Sequence, residues 1–305
     1  MYSKENPKLQ IAWDSTSLGL LKTCPRKYQL TILDHWAVKG EQLHLDFGIY
    51  YHAALEEYDK ARALGADYEE GVRAAVQKAL VISKDFVGTA SGDHKKGDIK
   101  SRATLIRAVV WYLEHFKDDP CKTIILDNGK PAVELSFKME LPFHTPAGED
   151  YILCGHLDRL AEMMDQVYVL DRKTTGSTIS SYYYNQFNPN NQISLYTLAS
   201  RIILPRSAAG VIIDACQLAV NFARFHRGMV TKTQGQLDDW LEDVGMWLKL
   251  AEGFAAAGHW PMNDTACSMY GGCPFQEVCK NDKSIQGNIL RSNFEERIWN
   301  PLIPR

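Results

Sequence analysis

Three charged side chains interrupt two apolar runs of the sequence: Asp158 in GHLDRLAEM, and Asp171 and Lys173 in QVYVLDRKTT. Both runs have the pattern of strands, and only Met164-Asp165 separates them. Paired antiparallel about that dipeptide, the register that opposes Met163 to Gln166 goes on to oppose Asp158 to Asp171. Lys173, two residues beyond Asp171, projects from the same face. Met-Asp lacks the Asn-Gly chemistry of a tight hairpin, so a longer bulged loop is a second route to this register. Two opposed carboxylates repel and weaken a sheet. A divalent cation offsets that repulsion, and oxygen ligands suit Mg²⁺ or Mn²⁺. The alternative is a surface cluster that Lys173 alone neutralises.

Other residues could join this chemistry or merely pack. His52, in FGIYYHAAL, lies in an apolar helical pattern, where a histidine is usually a satisfied core residue. Gln192 and Tyr196 stand four apart and share one helical face, which could simply dock a helix. Glu134, in the preceding strand pattern, reads as a solvated residue, with a metal or supporting role as the lesser alternative. Of seven cysteines, Cys121, Cys154 and Cys216 read as small core hydrophobes. Cys267, Cys273 and Cys279 recur in CSMYGGCPFQEVC beside Gly271 and Gly272, which let backbone approach a bulky group. Their gaps are wider than those of most structural zinc pairs, and a fourth ligand is missing nearby. Cys24, in CPRKY, can supply it. An iron–sulfur cluster, zinc and unrelated free thiols all remain open on spacing alone.

The elements that must carry these groups follow from periodicity. Residues 14–33 predict a short helix broken near Pro25; 45–64, 68–88 and 103–117 predict helices. AVELSFKMEL (132–141) alternates as a strand and precedes the two strands above. Residues 190–204 read as a helix and 210–225 as one strand. Thr233 and Gln236 form a capping box opening a long helix with Leu237, Trp240, Leu241, Val244, Leu248, Ala251 and Phe254 on one face. Residues 258–305 are loop-rich. The order predicts an α/β fold with a central mixed sheet flanked by helices. Three regions are expected: a helical N-terminal portion (1–130), a core (131–257) and a cysteine-rich C-terminal region (258–305).

The 305 residues are 45% hydrophobic and 23% charged, as in ordinary globular proteins. With a net charge of −3, no global basic field points to nucleic acid, so phosphate contacts would need local groups. Candidates are Lys22, Arg26 and Lys27; Lys95, Lys96, Lys100 and Arg102; and Arg224, His226 and Arg227. The plain alternative for each is a solvated surface. Tyr182, Tyr183 and Tyr184 could stack on unpaired bases, though such a run beside a helix start more often packs. No apolar leader or run approaching a membrane span (about 18 residues) is seen. The odd cysteine count then suggests a reducing, cytoplasmic setting.

Taken together, Gly155, Asp158, Asp171 and Lys173 resemble the G-x-x-D and (D/E)-x-K strands of the RecB-like branch of the PD-(D/E)XK nuclease superfamily. Upstream, Gly48, His52 and Leu55 match its G-x-x-x-H-x-x-L; downstream, Gln192 and Tyr196 match its Q-x-x-x-Y. Four elements in the right order are far more specific than any one. The resemblance implies a restriction-endonuclease-like core and a catalytic set of Asp158, Asp171, Lys173, Gln192 and Tyr196. It also implies that His52, Asp158, Asp171 and the backbone carbonyl of Arg172 hold Mg²⁺ or Mn²⁺. Such an ion would activate water and polarise the phosphate; Lys173 would orient the water or stabilise developing charge.

Iron–sulfur members of that family, the AddB-like nucleases and CRISPR-associated exonucleases, carry one cysteine before the nuclease core and three after it. The likeness implies a [4Fe–4S] cluster on Cys24, Cys267, Cys273 and Cys279, with zinc as runner-up. Family members often place two late cysteines only two residues apart, and this chain departs from that. The activity implied is a metal-dependent DNA nuclease, an exonuclease acting on ends or single strands in recombination, repair or phage DNA processing. Lys22, Arg26, Lys27, Arg224 and Arg227 would contact the DNA. No G-x-x-x-x-G-K-[ST] phosphate loop occurs, so unwinding would fall to a helicase or recombination partner. The alternative is a non-catalytic DNA-binding or scaffold protein that keeps this fold and cluster.

Overall fold

The computed structural model describes residues 1–40, 42–86, 97–204, 206–219 and 222–303, without the side chains of 97, 98 and 270. A short strand β1 (Ala12–Trp13) leads into α1 (Ser15–Thr23), which Asp14 caps in a reciprocal box with Ser17. Pro25 opens α2 (Pro25–Tyr28), so the predicted break falls at Cys24, between the two helices. There follow β2 (Trp36–Val38), α3 (Leu43–Ala63), α4 (Tyr68–Ile82) and α5 (Arg102–His115). The strands β3 (Lys122–Thr123), β4 (Val133–His144), β5 (Asp150–Met163) and β6 (Gln166–Thr175) come next. After α6 (Ser181–Asn185) and α7 (Asn191–Ile203) come β7 (Gly210–Leu218) and β8 (Ala223–Val230). The chain continues with α8 (Gln234–Ala257), α9 (Gln276–Cys279), α10 (Lys283–Asn293) and β9 (Phe294–Glu296).

Contacts group these elements into two compact units, and β4 and β5 contribute residues to both. One unit spans Glu41–Leu135 and His156–Lys232. Its sheet is mixed: β5 and β6 are antiparallel, β6 and β7 parallel, β7 and β8 antiparallel, with β3 antiparallel to β5. Every residue of β7 is buried, as expected for a strand covered on both faces. Phe47, Tyr51 and Leu55 of α3, Ala75 of α4 and Leu105, Val109 and Leu113 of α5 pack with Cys216 and Leu218 of β7. α7 packs on β6 and β7. This is the α/β architecture with a central mixed sheet that the element order predicted.

The run 210–225 is two strands, not one. Ala219 N–H donates to the Phe222 carbonyl (3.0 Å) as the chain reverses into β8. A doubly buried strand is largely apolar, so alternation does not mark the break, and Asn221 is the one residue of turn-forming type between β7 and β8. Gly228 of β8 lets α6 lie close, since a Cβ there would fall 2.3 Å from the Tyr184 ring.

The other unit comprises Met1–Gly40, Ser136–Gly155 and the chain from Thr233 onward. β1 runs parallel to the first part of β5, and β2 pairs antiparallel with β9. The Thr233–Gln236 capping box opens α8 as the sequence predicts, and Gly258 ends it in the left-handed conformation (φ 62°). Leu237, Trp240, Val244, Leu248 and Ala251 are its buried face; Leu241 and Phe254 are half-buried. No helix among the described residues is long and apolar enough to cross a membrane.

Candidate active site

The hairpin keeps the predicted register: Met163 opposes Gln166, and the ladder runs without slip to Arg159 opposite Leu170. Met164 and Asp165 both adopt positive φ (51° and 58°), so the turn is a tight two-residue one despite lacking Asn-Gly. No bulged loop is needed. One step past Arg159 and Leu170 stand Asp158 and Asp171, both buried.

Asp158 Oδ2 accepts a hydrogen bond from the Arg172 backbone N–H (2.9 Å) and lies 3.3 Å from His52 Nδ1. Burial pushes this carboxyl's pKa up, but His52, Lys173 and the Arg172 N–H more than offset that and hold it below the usual carboxylate range. Asp171 is the opposite case. Burial raises its pKa; the Lys173 ammonium opposes and the Asp158 carboxylate adds to the rise. Lys173 Nζ lies 2.7 Å from each Asp171 oxygen and donates its hydrogen bond to Oδ1; buried Oδ2 accepts none. The Lys173 side chain is 27% exposed, so it runs between the buried carboxylate and solvent.

α3 delivers His52 and α7 delivers Gln192 and Tyr196. Asn190 caps α7 by accepting from the N–H groups of Gln192 and Ile193. Gln192 Nε2 donates to the Tyr196 hydroxyl (3.0 Å). That phenol feels Asp171, Asp158 and Glu134, and burial first of all raises its pKa well above 10. The structure therefore gathers Asp158, Asp171, Lys173, His52 and Tyr196, with Gln192 holding Tyr196.

It adds Glu134. Ligand atoms of His52, Glu134 and Asp158 all lie within 4.8 Å of one another, the one such metal-capable group found among the described residues. Glu134 is 9% exposed and sits in β4 with φ 51°, a conformation a non-glycine residue rarely adopts. That backbone costs about 1–3 kcal/mol and persists where surroundings over-determine it, often at functional sites. The sequence shows Glu134 only as one polar residue near a strand start; a left-handed φ leaves no sequence signature in glutamate. This carboxylate and imidazole set fits a hard divalent cation, and buried Oδ2 of Asp171 is a further oxygen donor beside it.

The basic groups part company. On β8, His226 and Arg224 lie across β7 from Lys173 and Thr175 in the register, so they share the Lys173 face about 10 Å away. Both are exposed; Arg224 rests over Phe222 and His226 meets the Tyr184 hydroxyl. Arg227 points to the opposite face. It forms a bidentate pair with Asp119 (2.7 and 2.9 Å), reaches Asp214 (3.2 Å) and covers Phe116, so its charge is satisfied internally and not offered to phosphate. Lys100 is likewise buried over Phe47, and Lys95 and Lys96 lie outside the described residues. Tyr183 is buried, while Tyr182 is 84% exposed.

In the other unit, Lys22 lies over Trp247, and Arg26 is held by the Trp260 carbonyl (2.9 Å). Cys24, Cys267, Cys273 and Cys279 line one pocket with Lys27 and Phe275. Asn263 N–H donates to Cys24 Sγ (3.4 Å), and Cys273 N–H to the Cys267 carbonyl (2.8 Å). Burial first, then the neighbouring thiols Cys273, Cys24 and Cys267, push up the pKa of Cys279.

A family model for the PD-(D/E)XK nuclease superfamily matches residues 13–280. The crystal structure of a protein from Eubacterium rectale described as "Putative exonuclease" aligns over 94% of this chain and 98% of that one, at 12% identity and a TM-score of 0.51. That likeness concerns the fold alone. A crystal structure of SSO0001 aligns over 74% of this chain and 84% of that one, at 15% identity; its TM-score of 0.30 supports no argument. A search of curated proteins returned no match.

Proposed function

The chain belongs to the PD-(D/E)XK nuclease superfamily, and on that footing we propose that it is a DNA exonuclease dependent on Mg²⁺ or Mn²⁺. The observation that carries the reading is the approach of His52, Glu134 and Asp158 to within 4.8 Å of one another beside the Asp171–Lys173 pair. A divalent cation held there would supply a Lewis acid for the scissile phosphate. Asp158, kept ionised by His52 and the Arg172 N–H, is the strongest ligand of the set. Asp171 is the ligand whose charge burial and the Asp158 carboxylate disfavour, so a cation would relieve what Lys173 only partly offsets. Lys173, fixed by Asp171 and partly exposed, donates to the attacking water or to charge building on phosphate oxygens. Tyr196, held by Gln192, places a buried phenol near Asp171 and Asp158.

The name of the E. rectale fold neighbour agrees with an exonuclease. Arg224 and His226, on the Lys173 face, are the phosphate contacts we assign to the strand being cut, and exposed Tyr182 offers a ring to an unpaired base. Lys22, Arg26 and Lys27 are assigned more weakly to the DNA path, since each already lies against protein groups.

For Cys24, Cys267, Cys273 and Cys279 we propose a [4Fe–4S] cluster that closes the C-terminal region onto the N-terminal portion. All four line one pocket, and four thiolates suit an iron–sulfur cluster. A structural role fits the long loop the cluster would close.

The test is digestion of end-labelled single- and double-stranded DNA, linear and circular, with Mg²⁺, Mn²⁺ or EDTA. Loss of nucleotides from linear ends, arrested by EDTA, is expected. Asp158→Ala should reduce the rate about a thousandfold or more, because a metal ligand carries several kcal/mol of the barrier reduction. Binding without cleavage of any substrate would leave the protein a DNA-binding scaffold instead.

A further inference from the structure

Leu-Asp-Arg occurs twice in the hairpin, as Leu157-Asp158-Arg159 and Leu170-Asp171-Arg172. Alternation sends each aspartate to the catalytic face and each arginine to the other. In the observed register Arg159 opposes Leu170, so Arg159 and Arg172 are diagonal neighbours flanking the Asp158–Asp171 step from behind. One side chain meets both: Asp59 Oδ2 accepts from Arg172 Nη2 (2.6 Å), and its Oδ1 lies 3.5 Å from Arg159 Nη1. Asp59 and Arg172 are each 2% exposed.

Asp59 lies on α3 seven residues after His52, two helical turns or about 10 Å along the same side. α3 is therefore fastened to the hairpin at two points. His52 reaches Asp158 on the catalytic face; Asp59 reaches the two arginines on the back. A buried ion pair is weak as a stabiliser, since apolar residues of similar volume do as well or better. What it supplies is direction. The Arg172 backbone N–H, anchored through its own side chain, is the group that holds Asp158 Oδ2.

We infer that Asp59 is a positioning residue that fixes α3 and the Arg172 backbone together, and so sets the separation of His52 and Asp158 at which they can share a cation. The inference rests on the metal-dependent reading of that site. Asp59 touches neither cation nor DNA; it acts through His52 and Arg172.

The experiment compares wild type, Asp59→Asn and the apolar pair Asp59→Leu/Arg172→Met. Thermal melting is recorded, Mn²⁺ binding is measured by calorimetry without DNA, and kcat and KM for linear DNA are measured over a Mn²⁺ series. Removing a partner that orients a ligand typically weakens metal binding about 10- to 100-fold. We expect that loss in both variants, with KM for DNA unchanged and kcat recovering at high Mn²⁺. In the apolar pair the melting temperature returns toward wild type while metal binding stays weak, a split that a purely structural role does not produce. The inference is overturned if the apolar pair binds Mn²⁺ as wild type does. Unfolding of both variants would also overturn it, by making Asp59 a folding residue. A wild type that binds no Mn²⁺ and cuts nothing would instead defeat the underlying reading.

Discussion

At the scale of single residues, Asp158 and Asp171 should report opposite electrostatics. Burial lifts the folded-state pKa of Asp171 above its unfolded value of about 4. Its ionisation therefore destabilises the metal-free protein as pH rises from the unfolded value through the folded one. Asp158, held low by His52, Lys173 and the Arg172 N–H despite burial, contributes stability that is present above its unfolded value and is lost only as pH falls through its depressed one. Metal-free Asp171→Asn is thus expected to melt above wild type at neutral pH. The gap should close as pH is lowered below the Asp171 range, read by melting in EDTA from acid to neutral pH. A variant less stable than wild type at neutral pH would mean that the Lys173 pairing outweighs burial. Residue identity told much of this in advance. Asp158, Asp171, Lys173 and His52 were legible through the family pattern they jointly match; their own spacing left the acidic pair readable as a surface cluster and His52 as a packing residue. Glu134 and Asp59 were not, since one depends on a backbone twist and the other on a tertiary contact between distant segments. Arg227 shows the converse: a basic residue beside the last strand looks available until Asp119 and Asp214 are seen across it.

At the scale of elements, the β5–β6 hairpin closes on a turn without Asn-Gly chemistry. Leu157 and Leu160 point to opposite faces and both are fully buried, so alternation alone does not set the register; the two-residue turn does, by pinning Met163 opposite Gln166. The turn itself holds two non-glycine residues in the left-handed region, and Arg206 clips it by donating to the Asp165 carbonyl (2.6 Å) and to Glu162 (2.9 Å). Replacing Met164-Asp165 by Asn-Gly leaves that carbonyl in place and removes steric strain of about 1–2 kcal/mol per residue. The double variant should therefore raise the urea midpoint with an unchanged denaturant slope and unchanged cleavage. An unchanged midpoint would show that neighbouring contacts already absorb the strain. The β7–β8 reversal was barely legible because burial on both faces of β7 erases alternation, which leaves Asn221 as the one residue of turn-forming type to mark the end.

At the scale of the whole molecule, the sequence could say that Cys24 and three cysteines some 240 positions later have compatible chemistry, but not that they meet. Their meeting needs the fold to bring the segments before β2 and after α8 into one unit, where β2 also pairs with β9. His52, Glu134, Asp158, Asp171 and Lys173, the residues of the proposed metal site, all belong to the other unit. Cluster loss and metal-site loss should therefore separate experimentally. Cys273→Ser, purified anaerobically, is expected to lose the visible thiolate–iron absorption of wild type. It should also melt several degrees lower, because the constraint on a very long loop is gone. Mn²⁺ binding at the His52–Glu134–Asp158 group should persist in the folded variant, measured at a temperature below its melt. Colourless wild type containing stoichiometric zinc would replace the cluster with a zinc site, and wild type containing neither metal would leave four free thiols around an apolar pocket.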